Sequence, residues 1–424
     1  MNRARSTEIR PMRGVRFNSD AVGPIGPLLA PPYDVASVAR TSARFSVAEI
    51  ENVDLGVPGN QHEVAAARYR SWLETGILRR DDEPAIYLHE HQFPGAAGPL
   101  TRTAILAVVR LEDWVERVVV PHERTMAGPR AERLARLAAT DANLSPLYLL
   151  YADSEGSIRQ LLDTQRPGAA VPFTQDQIGG RHRLTAVAAP AVHDELARLF
   201  RERRLFVADG HHRYEAALAH RDLMRGRPGW QHDSPSEFVL TMLAAADDPG
   251  VIVHPTHRLL LGETDRQQAL LAILARWFAI ERVSEASPMD PHPAHICRVV
   301  MGCGHGVWDV RAHPDAMHRA LLPRGRGPAF KSLPVAAVEG AIEAFRGATM
   351  SDRGSDPGIA YAIDPRQATD RALRGEVQAV FLLPRPRLAE VMAVGEEGDL
   401  LPAKSTWFDP KAPAGLVIND LRSW

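Results

Sequence analysis

The sequence predicts a mixed α/β fold. Short apolar runs with strand-like alternation recur along the chain, and between them stand longer runs whose apolar residues return every three or four positions. Their order is irregular, so strands and helices mix without spelling a repeated β-α-β unit. In the first half, strands are expected at "AIYLHEHQF" (85–93), "TRTAILAVVRLE" (101–112), "LYLLYA" (147–152), "RLTAVA" (183–188) and "RLFVA" (204–208). Helices are expected at "HEVAAARYRSWLETG" (62–76), "RAERLARLAAT" (130–140) and "AVHDELARLFRER" (191–203), each with apolar residues on one face. The second half offers an apolar run at 237–246, a helix over 265–279, a hairpin in "HICRVVMGCGHGVWDVR", a helix near "PVAAVEGAIEAFR" and a strand at "VQAVFLLP".

A chain of 424 residues is long enough for two or three domains. The expected division is an N-terminal α/β region over 1–225 and a C-terminal one over 226–424, with Pro/Gly-rich stretches at 226–236, 286–294 and 322–328 as linkers or surface loops. Acidic and basic residues nearly balance, leaving a formal charge of -2. The electrostatic footprint of a nucleic-acid binder is therefore missing, and nucleic acid is not an expected partner. Cys297 and Cys303 are the only cysteines, which argues against a disulfide framework and for a reducing cytoplasm. The start "MNRARSTEIRPMRGVRF" lacks the apolar stretch of a signal peptide. No run approaches the ~18 apolar residues of a spanning helix, so no membrane association is expected.

The stretch "LFVADGHHRYEAALAHRD" (205–222) concentrates polar groups at one turn. "LFVA" reads as a buried strand, Asp209-Gly210 as a tight turn, and the residues from His211 as a helix ending before Gly226. A helix after a glycine turn aims backbone N–H groups and the positive end of its dipole at the loop, which suits phosphate. Arg213 can add a bidentate contact to phosphate oxygens, His211 and His212 can donate hydrogen bonds, and Asp209 can hold magnesium. The alternative is that Asp209 caps the helix and the histidines are satisfied in place.

"ADGHHRYEAA" resembles the signature of the ParB and sulfiredoxin superfamily, and within it the very similar "DGHHR" of the free serine kinases. Over its whole length the chain resembles a bacterial family designated domain of unknown function 1015. The resemblance runs through "APPYDV" (30–35), "PHERT" (121–125), "NLSPLYLLY" (143–151), "ADGHHRYEAAL" (208–218), "HPTHRLL" (254–260) and "KSTWFDPK" (404–411). It implies a ParB/sulfiredoxin-like nucleotide-binding core with additional α/β regions, in which Gly210 opens the helix that holds the phosphates. Serine kinases use a glutamate as base on the substrate hydroxyl, and Glu123 of "PHERT" is the candidate for that role, with His122 orienting it or sharing the proton.

Other polar groups are placed more loosely. Lys404, Ser405, Thr406 and Lys411 offer phosphate-friendly chemistry, although the glycine frame of a P-loop is missing. Asp34 beside Tyr33, Asn143 with Ser145, and His257 with Arg258 are candidate substrate contacts, the first two groups also explicable as ordinary turns. Pro255 makes "HPTHR" extended, which argues against a metal shared by His254 and His257. His295, Cys297, Cys303 and His305 do not have the spacing of a familiar zinc finger. The activity expected is phosphotransfer from ATP or ADP, with Mg2+, to a small hydroxyl-bearing metabolite such as free serine. A nucleotide-binding switch without turnover, and a phosphatase using His211 or His212, are the alternatives.

Overall fold

The run at 237–246 becomes the middle of a large sheet. All eight residues of the strand Phe238–Ala245 are buried, as a strand covered on both faces requires. It pairs antiparallel with Gly98–Arg110 and parallel with Leu147–Tyr151. The computed structural model describes residues 6–31, 44–51, 60–125, 127–167, 171–284, 294–302, 304–347 and 357–422.

These residues divide into two units. The first comprises 1–120, 127–252 and 410–424, and the second 121–126 and 253–409. The division falls at 252/253 rather than at the expected 225/226 because Phe238–Ala245 completes the sheet of the first unit.

That sheet has the order Val119–Val120, Leu205–Asp209, Leu147–Tyr151, Phe238–Ala245, Gly98–Arg110, Ile86–Gly95, Arg181–Val187 and Thr174–Gln175, with Ile9–Arg10 also on Gly98–Arg110. Parallel and antiparallel pairs mix, as in Leu205–Asp209, which runs parallel to Val119–Val120 and antiparallel to Leu147–Tyr151. A core of Ile105, Leu149, Val207, Tyr214 and Leu243 packs against it, joined by Leu196 and Phe200 of the helix Pro190–Phe200. The helices expected over 62–76, 130–140 and 191–203 are present as Gln61–Glu74, Ala127–Thr140 and Pro190–Phe200.

The second unit is built on an antiparallel sheet ordered Phe278–Val283, Gly306–Ala312, His295–Met301, Ala379–Leu382, His257–Leu260 and Ile359–Ala362. The expected hairpin is there, with a register shift between His295 and Cys297. Cys297 is packed in the apolar core, and Cys303 lies outside the described residues. The helix expected over 265–279 stops at Trp277, because Phe278 begins a strand paired with Gly306–Ala312. Mixed α/β is thus the fold class, and no described helix is long and apolar enough to cross a membrane.

Candidate functional site

Gly210 turns the chain from the strand Leu205–Asp209 into the helix His211–Arg225 at φ 107° and ψ 21°. A Cβ there would sit 2.8 Å from Leu147 Cδ2, so both backbone and space demand glycine. The helix is tied down by Tyr214, whose hydroxyl donates to Glu112 O at 2.7 Å. The N-cap residue is Gly210 and supplies no side-chain acceptor. Asp209, considered above as the cap, has another task.

Its carboxylate joins two cations. Arg213 Nη2 donates to Oδ2 at 2.6 Å, and Lys411 Nζ donates to Oδ1 at 3.0 Å. Arg213 also donates to Ser145 Oγ at 3.1 Å and to Pro146 O at 2.5 Å. Burial alone would push the Asp209 carboxyl up, but Lys411 and Arg213, with His211 near, hold it at about 2. Arg213 and Lys411 thus bring two cationic groups to the Asp209 carboxylate at the N-terminus of a 15-residue helix, the end whose dipole favours an anion. Magnesium fits less well here, since both carboxylate oxygens already accept from cations and a divalent ion would have to displace one of them.

Behind Arg213 lies a cavity of about 40 Å³ lined in part by Arg133, Arg136, Asn143, Ser145 and Arg213. Asn143 is spent on structure: its Oδ1 accepts from Leu240 N at 3.0 Å and from Asn419 Nδ2 at 2.9 Å. Ser145 is the member of its pair that reaches the arginine. Asp34 lies outside the described residues.

The second unit assembles its own group. Glu123 Oε1 accepts from the Lys404 N–H at 2.9 Å, and His122 Nε2 lies 3.0 Å from Thr406 Oγ1. Lys404 is held at φ 57°, a left-handed conformation uncommon for a side chain of this kind. The Ser405 hydroxyl turns inward to Pro402 O, away from the phosphate role expected of it. Arg258 and His257 also depart from expectation. Arg258 is fully buried and donates to Thr256 O, Lys404 O, Ala403 O and Glu339 Oε1 at 2.7 to 2.9 Å, so it braces the loop instead of meeting a substrate. His257 is buried too and accepts from Leu383 N at 3.1 Å; burial, with Arg258 beside it, lowers its pKa to about 4.

The family model described as "Protein of unknown function (DUF1015)" matches residues 9–336. The chain belongs to this family. No curated protein matches the sequence of this DUF1015 member. Among solved structures it is similar to one described as "Free serine kinase in complex with AMP", at 12% identity and a TM-score of 0.40, over 75% of this chain and 93% of that one. It is also similar to a conserved hypothetical protein from Pyrococcus furiosus (12% identity, TM-score 0.36, 75% and 97% of the two chains). A third is SbnI with C-terminal truncation from Staphylococcus aureus (14% identity, TM-score 0.38, 75% and 89%).

Two features of the DUF1015 site were missed by sequence reasoning. Of the lysines in "KSTWFDPK", it is Lys411, not Lys404, that reaches Asp209. Nothing local marks that pairing, which spans 202 positions. Arg133 and Arg136, by contrast, stand three apart on the helix Ala127–Thr140, and that spacing puts both on one face.

Proposed function

We propose that this protein binds the phosphate chain of a nucleotide, ATP or ADP, at the Asp209–Arg213 turn and transfers a phosphoryl group to the hydroxyl of a small metabolite, free serine being the first candidate. The carrying observation is the placement of Arg213 and Lys411 around one carboxylate at the glycine-led start of a long helix. The "ADGHHRYEAA" resemblance to free serine kinases and the ParB and sulfiredoxin superfamily supports the same reading. Arg213 stabilises charge on the transferred group, and Lys411 neutralises the phosphate chain as Asp209 yields it. Positioning and electrostatics carry most of such a reaction. As the hydroxyl oxygen bonds to phosphorus, the bond to the departing nucleotide oxygen breaks and the hydroxyl proton leaves to a base. Glu123 is the proposed base, on the strength of its motif and of the Lys404 amide that fixes its carboxylate. Magnesium, implied by the resemblance, finds no dedicated set of carboxylates at Asp209 among the described residues.

The test is thermal unfolding with ATP, ADP and CTP in turn, on wild type and on Arg213→Ala. A nucleotide at ~100 times its dissociation constant stabilises the fold by about 2.7 kcal/mol. Wild type is expected to gain this with one nucleotide and Arg213→Ala to gain none of it while keeping its fold. Phosphorus NMR with serine and the nucleotide that binds then reads transfer, which Glu123→Gln is expected to abolish without weakening nucleotide binding. A wild type that no nucleotide stabilises would remove the proposal.

A further inference from the structure

The alternation in "LHEHQF" puts His89 and His91 on one face of the strand Ile86–Gly95. The neighbouring strand Arg181–Val187 sets His182 directly opposite His91, with the two rings stacked at 4.1 Å. His89 lies on the diagonal, its Nε2 3.1 Å from His182 Nδ1. Asp176, which follows the strand Thr174–Gln175, completes the group. Its Oδ1 accepts from the Ile178 and Gly180 amides at 3.0 and 2.7 Å, which turns Oδ2 toward His182 Nε2 at 3.0 Å.

We propose that His91, Asp176 and His182 form a binding site for a divalent transition-metal ion of the zinc class. One ligand atom from each residue lies within 4.8 Å of the other two. An ion ~2.1 Å from each donor needs donors ~3.4 Å apart, so the His182–Asp176 edge at 3.0 Å is already closed and His91, within 4.8 Å of both, has at most ~1.4 Å to move. His91 is 3% exposed, and its Nε2 has no hydrogen-bond partner among the described residues. A hydrogen-bonded Asp176–His182–His89 chain, with no metal, leaves that nitrogen stranded in the interior. Two imidazole nitrogens and one carboxylate oxygen match the ligand types of zinc sites that keep a position open. With the ion on His182 Nε2, Nδ1–H donates to His89 Nε2, the outer partner that fixes a ligand imidazole. Arg102 Nη2 donates to His91 Nδ1 at 3.5 Å, at the long limit of a hydrogen bond, and to the Lys411 carbonyl at 3.3 Å; an ion on His91 Nε2 requires that long contact to be given up so that Nδ1 carries the proton.

Gly180 shapes the opening. A Cβ built on it would lie 2.6 Å from Asp176 Oδ2 and 2.7 Å from His91 Nε2, between the two donors. Gly180→Ala therefore blocks the ion while keeping all three ligands.

The experiment uses untagged full-length protein stripped with a chelator, then titrated with zinc at pH 7.5 and, separately, with cobalt(II) read by visible absorption. Wild type is expected to hold one equivalent of zinc at micromolar concentration and to give the intense cobalt bands of a four-coordinate site. His91→Ala, Asp176→Asn and Gly180→Ala, checked for folding by circular dichroism, are expected to lose at least a hundredfold in affinity, while His220→Ala keeps it. His89→Gln is expected to weaken binding by 10–100-fold, the range for an outer partner. Absence of micromolar zinc binding and of cobalt bands in wild type would overturn the site, whatever the variants do. So would zinc binding retained at wild-type strength in folded Gly180→Ala and His91→Ala.

Discussion

At the residue scale the two groups that matter most at the turn are Asp209 and Gly210. Asp209 has a folded pKa of about 2 against an ordinary 3.8, and its side chain is a quarter exposed (25%). A carboxyl lowered in this way stabilises the fold at pH values above its unfolded pKa, and the contribution fades as pH falls from about 4 toward 2. Its size is about 2 kcal/mol. Urea unfolding is expected to show Asp209→Asn less stable than wild type by about that amount at pH 6, with the gap closing between pH 4 and pH 2. A gap independent of pH would disconnect the shift from Lys411 and Arg213. Gly210→Ala combines a forbidding φ of 107° with a contact 2.8 Å from Leu147, and it should cost about 1–3 kcal/mol, read as a lower urea midpoint at unchanged slope. The turn itself was legible in the sequence because aspartate, glycine and arginine stand within five positions. Arg258 was legible as polar but not as buried. Its four carbonyl and carboxylate partners come from three separate stretches of chain.

At the element scale, stability concentrates in the central strands of the first sheet. Leu243 of Phe238–Ala245 is completely buried in the core that also holds Ile105, Leu149 and Tyr214. Leu243→Ala is expected to cost 2–5 kcal/mol, whereas a change at Val115, 79% exposed, should stay within about 0.5 kcal/mol. Differential scanning calorimetry of the two variants checks the contrast. Elements were read well where their own pattern is strong: Leu205–Asp209, Gln61–Glu74 and Pro334–Arg346 fall where the sequence put them. Phe278–Val283 was partly misread because "FA" continues a helical pattern, and the ladder to Gly306–Ala312 outweighs local propensity there.

At the scale of the whole molecule, the first unit is discontinuous and closes only with residues 410–424. That segment buries Ala414, Leu416, Val417 and Ile418, pairs Asn419–Asp420 with Ala142–Asn143 and carries Lys411. A chain ending at Asp409 should therefore fail to form the first unit instead of merely losing a tail. Limited proteolysis is expected to find new cleavage within 127–252, and resistance equal to wild type would refute it. The sequence by itself determined the mixed α/β class, most of the elements and the strand–Asp209–Gly210–helix turn, since these depend on residues a few positions apart. Only the tertiary structure decided that Lys411 meets Asp209, that His257 and Arg258 are buried braces, and that His91, Asp176 and His182 share one interior spot. The reason is that strand order and register, set by packing apolar faces across the whole chain, bring together side chains whose separation in sequence carries no local signal.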